Sequence, residues 1–293
     1  MTSTDASPLP ARPRLIATDL DGTLLPDDKV VSARTIAALA NAEKAGVEVF
    51  FVTGRPPRWM DVVSAHVHGH GLAICANGAV VADLHDGGKV VRVRPLPRDA
   101  ARDVVQALRD AAPGTTFAVE LTTGISYEPG YPRFDLDPGA TIDTAEELLQ
   151  DDADATTDPT AASAPGESGA PVVKLLAYHP DLTPDGFLTL ARTVAGDRAE
   201  FTRSSPSALL EVSGLGVSKA STLALCCAER GISSDEVVAF GDMPNDLEML
   251  SWAGTSYAMG NAHPDVLAAA SGRTVTNNED GVAVIIEQIL ARL

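Results

Sequence analysis

The chain has 293 residues, of which 45% are hydrophobic, enough to bury one large core or two modest ones without disulfide staples. Its 40 acidic and 22 basic residues give a formal charge of −18, which argues against binding to nucleic acids or anionic membranes, because phosphates demand Lys and Arg patches. Three cysteines exclude a disulfide framework, so we expect a reducing, cytoplasmic location. We predict neither a membrane span nor a signal peptide, because no long apolar run is present.

Two segments carry little that could be buried. Residues 1–13 are expected to form a short disordered tail. Between Phe134 and Val173 there are ten acids and no Lys or Arg. Within that stretch we predict a flexible acidic loop over 151–171, and we interpret it as a tolerated expansion rather than an interaction tract or a metal-binding tract.

The remaining sequence alternates between apolar runs and helical patterns. The predicted strands and helices on the N-terminal side are 14–20, 33–45, 47–52 and 72–76. Those on the C-terminal side are 219–230, 237–240, 245–253, 255–258, 265–270, 273–276 and 280–290. This alternation predicts a doubly wound parallel α/β sheet with helices on both faces, in which sites lie at the carboxyl ends of the strands.

The middle of the chain has a different pattern, with short strands between Pro and Gly residues. Helices over 97–111 and 183–195 and strands over 116–122 and 172–178 predict an inserted α+β domain, which we place at 87–206. The α/β core would then consist of 14–86 and 207–293.

Polar residues follow the predicted core strands. Asp19 and Asp21 flank Leu20 directly after the first strand, and residues two apart on an extended chain share a face. Gly22 permits a tight turn there. Two carboxylates that close repel each other, so a cation is expected between them, and Mg²⁺ suits carboxylates combined with phosphate oxygens.

Three further segments could complete such a site. Asp242 and Asp246 follow another predicted core strand and offer more carboxylates. Thr53-Gly54 ends the second strand and could cradle a phosphate with a hydroxyl and backbone N–H groups. Lys219 begins a helix and offers a point charge for a phosphate.

Taken together and in this order, these motifs resemble the haloacid dehalogenase superfamily of phosphatases. The matching segments are Asp19-Leu20-Asp21-Gly22-Thr23, Thr53-Gly54-Arg55, Lys219, and Gly241-Asp242-x-x-Asn245-Asp246. The segment 276–283 resembles the end of the Cof-type branch. The insertion between Thr53 and Lys219 resembles that branch too, and implies its α/β cap.

The resemblance implies a role for each matching residue. Asp19 would be the nucleophile that forms an aspartyl-phosphate, and Asp21 the general acid and base. Mg²⁺ would be held by the carboxylates of Asp19 and Asp242 and the backbone carbonyl of Asp21. The phosphoryl oxygens would be bound by Leu20 N–H, Thr53, Gly54, Lys219 and Asn245. Asp246 would orient Lys219 or a metal-bound water. Arg55 is interpreted as a structural partner, and Asn77 as part of a turn.

The predicted function is therefore Mg²⁺-dependent hydrolysis of phosphomonoesters of small metabolites, sugar or cofactor phosphates, by a monomer or small homo-oligomer. One alternative is a dedicated phosphatase for a glycosyl-glycerate or disaccharide phosphate. Another, of a different class, is a non-catalytic phosphate-binding regulatory module. In the predicted cap, we expect packing or surface roles for Tyr127, Tyr131, Arg133 and Phe134, with contact to the leaving group as the alternative.

Overall fold

The computed structural model describes residues 13–65, 71–132, 139–150, 169–205 and 207–293. The predicted tail, apart from Pro13, and residues 151–168 of the predicted acidic loop lie outside these ranges. The described chain forms two compact units, one made of the residues up to Val91 and of Ser218–Leu293, the other of Arg92–Val217. No helix among the described residues is long and apolar enough to cross a membrane.

The first unit is built on an eight-stranded sheet. Its strands are β1 (Leu15–Thr18), β2 (Glu48–Val52), β3 (Leu72–Cys75), β4 (Val80–Asp83), β5 (Lys89–Val93), β11 (Val237–Gly241), β12 (Thr255–Ala258) and β13 (Gly272–Arg273). Their order across the sheet is β13-β12-β11-β1-β2-β3-β4-β5. β1 and β11 lie at its centre and are completely buried, as the continuous apolar runs of strands covered on both faces predict.

The helices of this unit are α1 (Ala33–Lys44), α2 (Asp61–Ser64), α6 (Lys219–Glu229), α7 (Leu247–Trp252), α8 (Pro264–Ala269) and α9 (Gly281–Leu290). From β1 the chain passes through α1 to β2 on one side, and from β11 through α7 to β12 on the other. Right-handed crossovers in opposite directions place α1 and α7 on opposite faces. The sheet is therefore doubly wound, as predicted, with its switch point between β1 and β11.

The sheet is mixed, whereas the sequence analysis predicts a parallel one. The strands from β13 to β3 are parallel, but β4 runs antiparallel to β3, with Cys75 opposite Val80. The reason is the short turn between them, in which Ala76 and Asn77 adopt positive φ angles of 49° and 54°. A turn this short permits only antiparallel pairing, since parallel strands need a crossover of about a dozen residues or more.

The second unit contains an antiparallel five-stranded sheet. Its strands are β6 (Thr116–Leu121), β7 (Gly124–Tyr127), β8 (Val172–Tyr178), β9 (Ala199–Thr202) and β10 (Leu209–Gly214), in the order β7-β6-β8-β10-β9. Helices α3 (Arg98–Ala111) and α5 (Pro184–Ala195) contribute to one apolar core with the sheet, as does Ala145 of the short α4 (Ala145–Leu148). The unit comprises Arg92–Val217, whereas the predicted bounds are 87 and 206. It starts later because β5 belongs to the eight-stranded sheet, and it ends later because β10 pairs with β8 and β9.

Candidate active site

Asp19 lies at the switch point of the doubly wound sheet, directly after β1. Its backbone N–H donates to the carbonyl oxygen of Phe240 in β11 at 3.0 Å. The chain then turns back, and the N–H groups of Thr23 and Leu25 donate to the Leu20 carbonyl oxygen at 3.2 and 2.8 Å. These bonds fix the backbone around Asp19, whose side chain is buried.

The turn after Asp21 rests directly on Asp242. Gly22 has a φ of +79°, and a Cβ added there would lie 2.3 Å from Asp242 Oδ2. Thr23 Oγ1 donates to Asp242 Oδ1 at 2.9 Å. Glycine is therefore required at position 22 for two reasons, its backbone conformation and the close approach of the carboxylate.

A buried lysine joins two of the carboxylates. Lys219 is the first residue of α6, and its Nζ donates to Asp19 Oδ1 at 2.6 Å and to Asp246 Oδ1 at 2.7 Å. The side chains of Lys219 and Asp246 are 1% and 0% exposed. The other oxygen of Asp246 accepts the backbone N–H groups of Asp242 and Met243 at 3.0 and 3.1 Å. Asp246 thus fixes both the lysine and the turn after β11.

Burial and mutual repulsion make the carboxylates of Asp19 and Asp242 hard to ionise. Burial raises the pKa of Asp19 well above its ordinary value; the charge of Lys219 acts in the opposite direction, and Asp246 and Asp242 add to the increase. Burial and the charge of Asp246 raise the pKa of Asp242 to about 7. Burial acts to lower the pKa of Lys219, but the charges of Asp19 and Asp246 outweigh it and raise that pKa. The cluster therefore has an excess of negative charge that one ammonium does not balance.

The residues present fit a divalent metal ion. Asp19, Asp242 and Asp246 each offer a carboxylate oxygen, and these atoms lie within 4.8 Å of one another. Three carboxylates and one ammonium leave a formal charge of −2, which a divalent cation would neutralise. An all-oxygen set of this kind suits hard cations such as Mg²⁺. The predicted metal set contains Asp21 through its backbone carbonyl oxygen, which stays a prediction, and the third carboxylate of the cluster is that of Asp246.

The carboxylate of Asp21 is held by basic residues instead. Arg55 binds it with two parallel hydrogen bonds, Nε to Oδ2 at 2.6 Å and Nη2 to Oδ1 at 2.7 Å. Lys29 Nζ lies 2.9 Å from Oδ1. Partial burial acts to raise the pKa of Asp21, but the hydrogen bonds and charges of Arg55 and Lys29 together outweigh it and lower that pKa. Arg55 and Lys29 therefore form a basic clamp that stabilises Asp21 as a carboxylate.

The remaining predicted residues lie at neighbouring strand ends. Thr53 and Gly54 follow β2, next to β1, and Thr53 Oγ1 accepts the N–H of Arg55 at 3.1 Å. Asn245 follows β11 and donates from Nδ2 to Asn77 Oδ1 at 3.2 Å. Its own Oδ1 is buried without a hydrogen-bond partner among the described residues, which leaves an acceptor or, with the amide turned over, a donor for a ligand.

Sequence reasoning left three side chains out of this constellation: Arg55, Lys29 and Asn77. Arg55 belongs to the Thr53-Gly54-Arg55 motif, but nothing in the sequence pairs it with Asp21. Asn77 has a positive φ, a conformation that Asn tolerates better than most residues, and the Asn-Gly dipeptide was the available signal. In the second unit, Tyr127 and Tyr131 are buried, whereas Arg133 and Phe134 lie outside the described residues.

Comparison with known proteins identifies what the chain is similar to. A family profile described as haloacid dehalogenase-like hydrolase matches residues 16–286. A 5-amino-6-(5-phospho-D-ribitylamino)uracil phosphatase of Bacillus subtilis (strain 168) is 29% identical over 280 residues, which cover 94% of this chain and 97% of the relative. A pyridoxal phosphate phosphatase of Escherichia coli (strain K12) is 30% identical over 282 residues, 93% of this chain and 97% of the relative.

Solved structures agree with this result. A haloacid dehalogenase-like hydrolase from Bacteroides thetaiotaomicron superposes with a TM-score of 0.69 at 26% identity, covering 95% of this chain and 100% of the other. A sugar phosphatase described as subclass IIB of the same superfamily has a TM-score of 0.74 at 21% identity, covering 96% and 100%. The predicted resemblance, to the superfamily and to its Cof-type branch, is confirmed, as is the predicted fold class.

Proposed function

Because the chain belongs to the haloacid dehalogenase-like hydrolase family and is a phosphatase, we propose that it hydrolyses phosphomonoesters of small metabolites through a phosphoryl intermediate on Asp19. The observation that carries the proposal is the bridge from Lys219 Nζ to Asp19 and Asp246 at 2.6 and 2.7 Å, with Asp242 beside it. The substrate class, sugar or cofactor phosphates, is supported by relatives named as phosphatases of a ribitylaminouracil phosphate and of pyridoxal phosphate.

In the first step, a carboxylate oxygen of Asp19 attacks phosphorus and the bond to the alcohol oxygen of the ester breaks. Lys219 binds Asp19 through Oδ1, which supports attack by Oδ2. The hydrogen bond favours the ionised form of the nucleophile and so opposes the effect of its burial. Thr53, Gly54, Asn245 and the N–H of Leu20 are proposed to bind the phosphoryl oxygens and hold the ester in line.

Asp21 is proposed to serve both halves of the reaction. In the first half it gives a proton to the departing alkoxide, so that a neutral alcohol leaves. In the second half its carboxylate takes a proton from water, which attacks phosphorus and releases inorganic phosphate from Asp19. The clamp of Arg55 and Lys29 supports the carboxylate form needed in the second half. A bound phosphate dianion would favour its protonation before the first half, because a neighbouring negative charge raises a carboxyl pKa.

The metal is proposed to be Mg²⁺, held by Asp19, by Asp242 and by the backbone carbonyl of Asp21. When bound, the ion supplies neutralisation of the negative charge that builds up on the transferred phosphoryl group. Asp246 is proposed to act on Lys219 and on the turn after β11. Its two oxygens are already engaged there.

The test is release of inorganic phosphate from a panel of sugar, cofactor and nucleotide phosphates by the purified protein with Mg²⁺. We expect release that is abolished by Asp19→Asn and by EDTA, and restored when Mg²⁺ is added back to the EDTA sample. Asp61→Asn is the matched control, because Asp61 is an exposed carboxylate in α2. Undiminished release by the Asp19→Asn protein would refute the proposed nucleophile.

A further inference from the structure

The turn between β3 and β4 has an unusual backbone. Its residues Ala76, Asn77 and Gly78 have φ angles of 49°, 54° and 103°, so three consecutive residues adopt positive φ. This conformation is unfavourable for any residue with a Cβ, although Asn tolerates it better than Ala. Such strain persists where the surrounding structure fixes the backbone, and it is typical of functional sites. We call this segment the 76–78 turn, and its contacts indicate what the strain maintains.

The backbone of the 76–78 turn holds the segment Thr53-Gly54-Arg55. The N–H of Asn77 donates to the carbonyl oxygen of Thr53 at 3.0 Å, and the N–H of Ala76 donates to that of Arg55 at 2.9 Å. The two residues that flank Gly54 are thus bound to consecutive residues of the turn. Since Thr53 and Gly54 are proposed to bind phosphoryl oxygens, the turn fixes the backbone of one part of the phosphate site.

The same turn packs against the start of α6. Thr222 Oγ1 donates to the carbonyl oxygen of Gly78 at 2.8 Å, and a Cβ added to Gly78 would lie 2.3 Å from the carbonyl oxygen of Ser218. Ser218 is the N-cap of α6 and directly precedes Lys219. The close approach at Gly78 therefore brings the turn to the element that carries Lys219.

The side chain of Asn77 contacts a third segment. It is 3% exposed, and its Oδ1 accepts from Asn245 Nδ2 at 3.2 Å. The amide nitrogen of an Asn side chain carries two hydrogens, whereas ionised phosphoryl oxygens only accept. With one hydrogen bound to Asn77, the second hydrogen of Asn245 Nδ2 can bind a phosphoryl oxygen. Asn77 therefore restricts the direction in which Asn245 donates.

We infer that Asn77 is a positioning residue, which fixes the amide of Asn245 while the 76–78 turn holds the segment Thr53-Gly54-Arg55. This inference rests on the proposed function, in which Asn245 and Thr53 bind the phosphoryl oxygens. Groups from separate segments of the chain are thus held by one short turn before the substrate binds. Preorganisation of this kind lets them stabilise the transferred phosphoryl group without reorientation.

The test is a double-mutant cycle of Asn77→Gly and Asn245→Ala in the full-length protein. Gly adopts a φ of 54° without strain, so Asn77→Gly removes the side chain and keeps the turn. With p-nitrophenyl phosphate and Mg²⁺, we expect each substitution alone to lower kcat/KM by about tenfold or more, because a hydrogen bond to a charged group is weakened or lost. In the Asn245→Ala background, we expect Asn77→Gly to lower kcat/KM by less than about twofold.

A purely structural role for Asn77 gives a different cycle. Loss of packing in the turn would lower kcat/KM by the same factor with or without an amide at position 245, and equal factors in the two backgrounds would overturn the inference. An unchanged kcat/KM in the Asn77→Gly protein would overturn it as well. The matched control is Asn41→Ala, which removes an exposed amide from α1 and should leave kcat/KM unchanged.

Thermal unfolding shows whether each variant is folded at the assay temperature. If the Asn77→Gly protein is not, Asn77→Ser replaces it in the cycle, because its hydroxyl is too short to reach Asn245 Nδ2 within hydrogen-bond distance. The same coupling to Asn245→Ala is expected, and its absence counts against the inference in the same way.

Failure of the proposed function has a different outcome, in which the unsubstituted protein releases no phosphate from any ester. The cycle is then measured as the Kd of inorganic phosphate in the presence of Mg²⁺, by isothermal titration calorimetry. The inference expects each substitution to weaken binding by about tenfold and the double variant to bind no more weakly than Asn245→Ala alone. Additive effects, or no binding of phosphate by the unsubstituted protein, would overturn it.

Discussion

At the scale of single residues, the candidate site depends on a charge imbalance. Lys219 is the ammonium that the structure places between Asp19 and Asp246, and both contacts are buried. Its removal leaves three carboxylates that repel one another within 4.8 Å. The lysine and a bound divalent cation would therefore neutralise the same cluster, so that loss of the lysine should increase the stabilisation that the cation provides.

Lys219→Met tests this balance. We expect kcat to fall by about a hundredfold or more, the cost of removing one electrostatic group from a preorganised site. We also expect a lower Tm in EDTA and a larger rise in Tm on adding Mg²⁺ than in the unsubstituted protein. Phosphate release and thermal scans measure both effects, with the exposed Lys44→Met as control. An unchanged Mg²⁺-dependent shift in Tm would contradict the account.

A second residue-scale prediction concerns the basic clamp on Asp21. Arg55 lowers the pKa of Asp21, so Arg55→Met should raise that pKa toward or above its ordinary value. The carboxylate form then disappears at a higher pH, and the acidic limb of the kcat profile should move upward. Lys29→Met should shift the limb in the same direction by less, since Lys29 makes a single contact. Identical kcat–pH profiles for the unsubstituted protein, Arg55→Met and Lys29→Met would show that ionisation of Asp21 does not set the acidic limb of the profile.

At the scale of elements, the turn after β1 is fitted to the turn after β11. We expect Gly22→Ala to destabilise the fold and to reduce phosphate release, because the new Cβ would meet Asp242 Oδ2 at 2.3 Å. The matched control is Gly46→Ala, which has a similar φ of +81° but no heavy atom within 4 Å of the added Cβ. Denaturant unfolding of both variants separates the cost of backbone strain, about 1 to 3 kcal/mol, from the steric conflict. Equal losses of stability would contradict a close fit between the turns.

Elements specified by local sequence were predicted, whereas those that depend on long-range pairing were not. The helix predicted over 33–45 is α1 (Ala33–Lys44), because Ser32 caps it as expected, its side chain accepting from Thr35 N–H. Strands such as β8 were predicted from their apolar runs. β4 and β5 were not, because nothing local specifies the turn at Ala76 and Asn77 that starts the antiparallel pairing. β10 was not predicted either, since its partners β8 and β9 are specified only by long-range pairing.

The same distinction applies to the candidate site. Asp19 and Asp242 could be located at strand ends, because a doubly wound sheet brings the ends of β1 and β11 together. The partner of Asp21 could not be predicted, since Arg55 is a long side chain whose direction depends on packing.

At the scale of the whole molecule, the described residues on either side of the predicted acidic loop lie close together in the second unit. Arg98 donates to the carbonyl oxygens of Leu148 and Ala170 at 3.1 and 2.9 Å, so the chain segments on either side of the tract lie close together. Arg102 donates to Leu149 O at 2.7 Å. These hydrogen bonds hold the two segments together, and none of them involves the residues between the segments.

We therefore expect that replacing residues 152–167 with a short Gly-Ser linker leaves Tm and phosphate release unchanged. Arg98→Ala should instead lower the free energy of unfolding by about 1 kcal/mol or more, because two partly buried hydrogen bonds to carbonyl oxygens are lost. Denaturant unfolding and the phosphate assay measure both variants. Loss of activity in the deletion variant at unchanged Tm would show that the acidic tract takes part in the function.

The central claim is that the phosphoryl group is transferred to the carboxylate of Asp19 before water releases it. This claim has one direct test. The protein is mixed with substrate and Mg²⁺, quenched in acid within the first turnover, and digested for peptide mass spectrometry. The account predicts a phosphoryl group on the peptide that contains Asp19, absent after Asp19→Asn and absent once substrate is exhausted. Phosphate release at full rate with no labelled peptide at any quench time would contradict it and would point to direct attack by water.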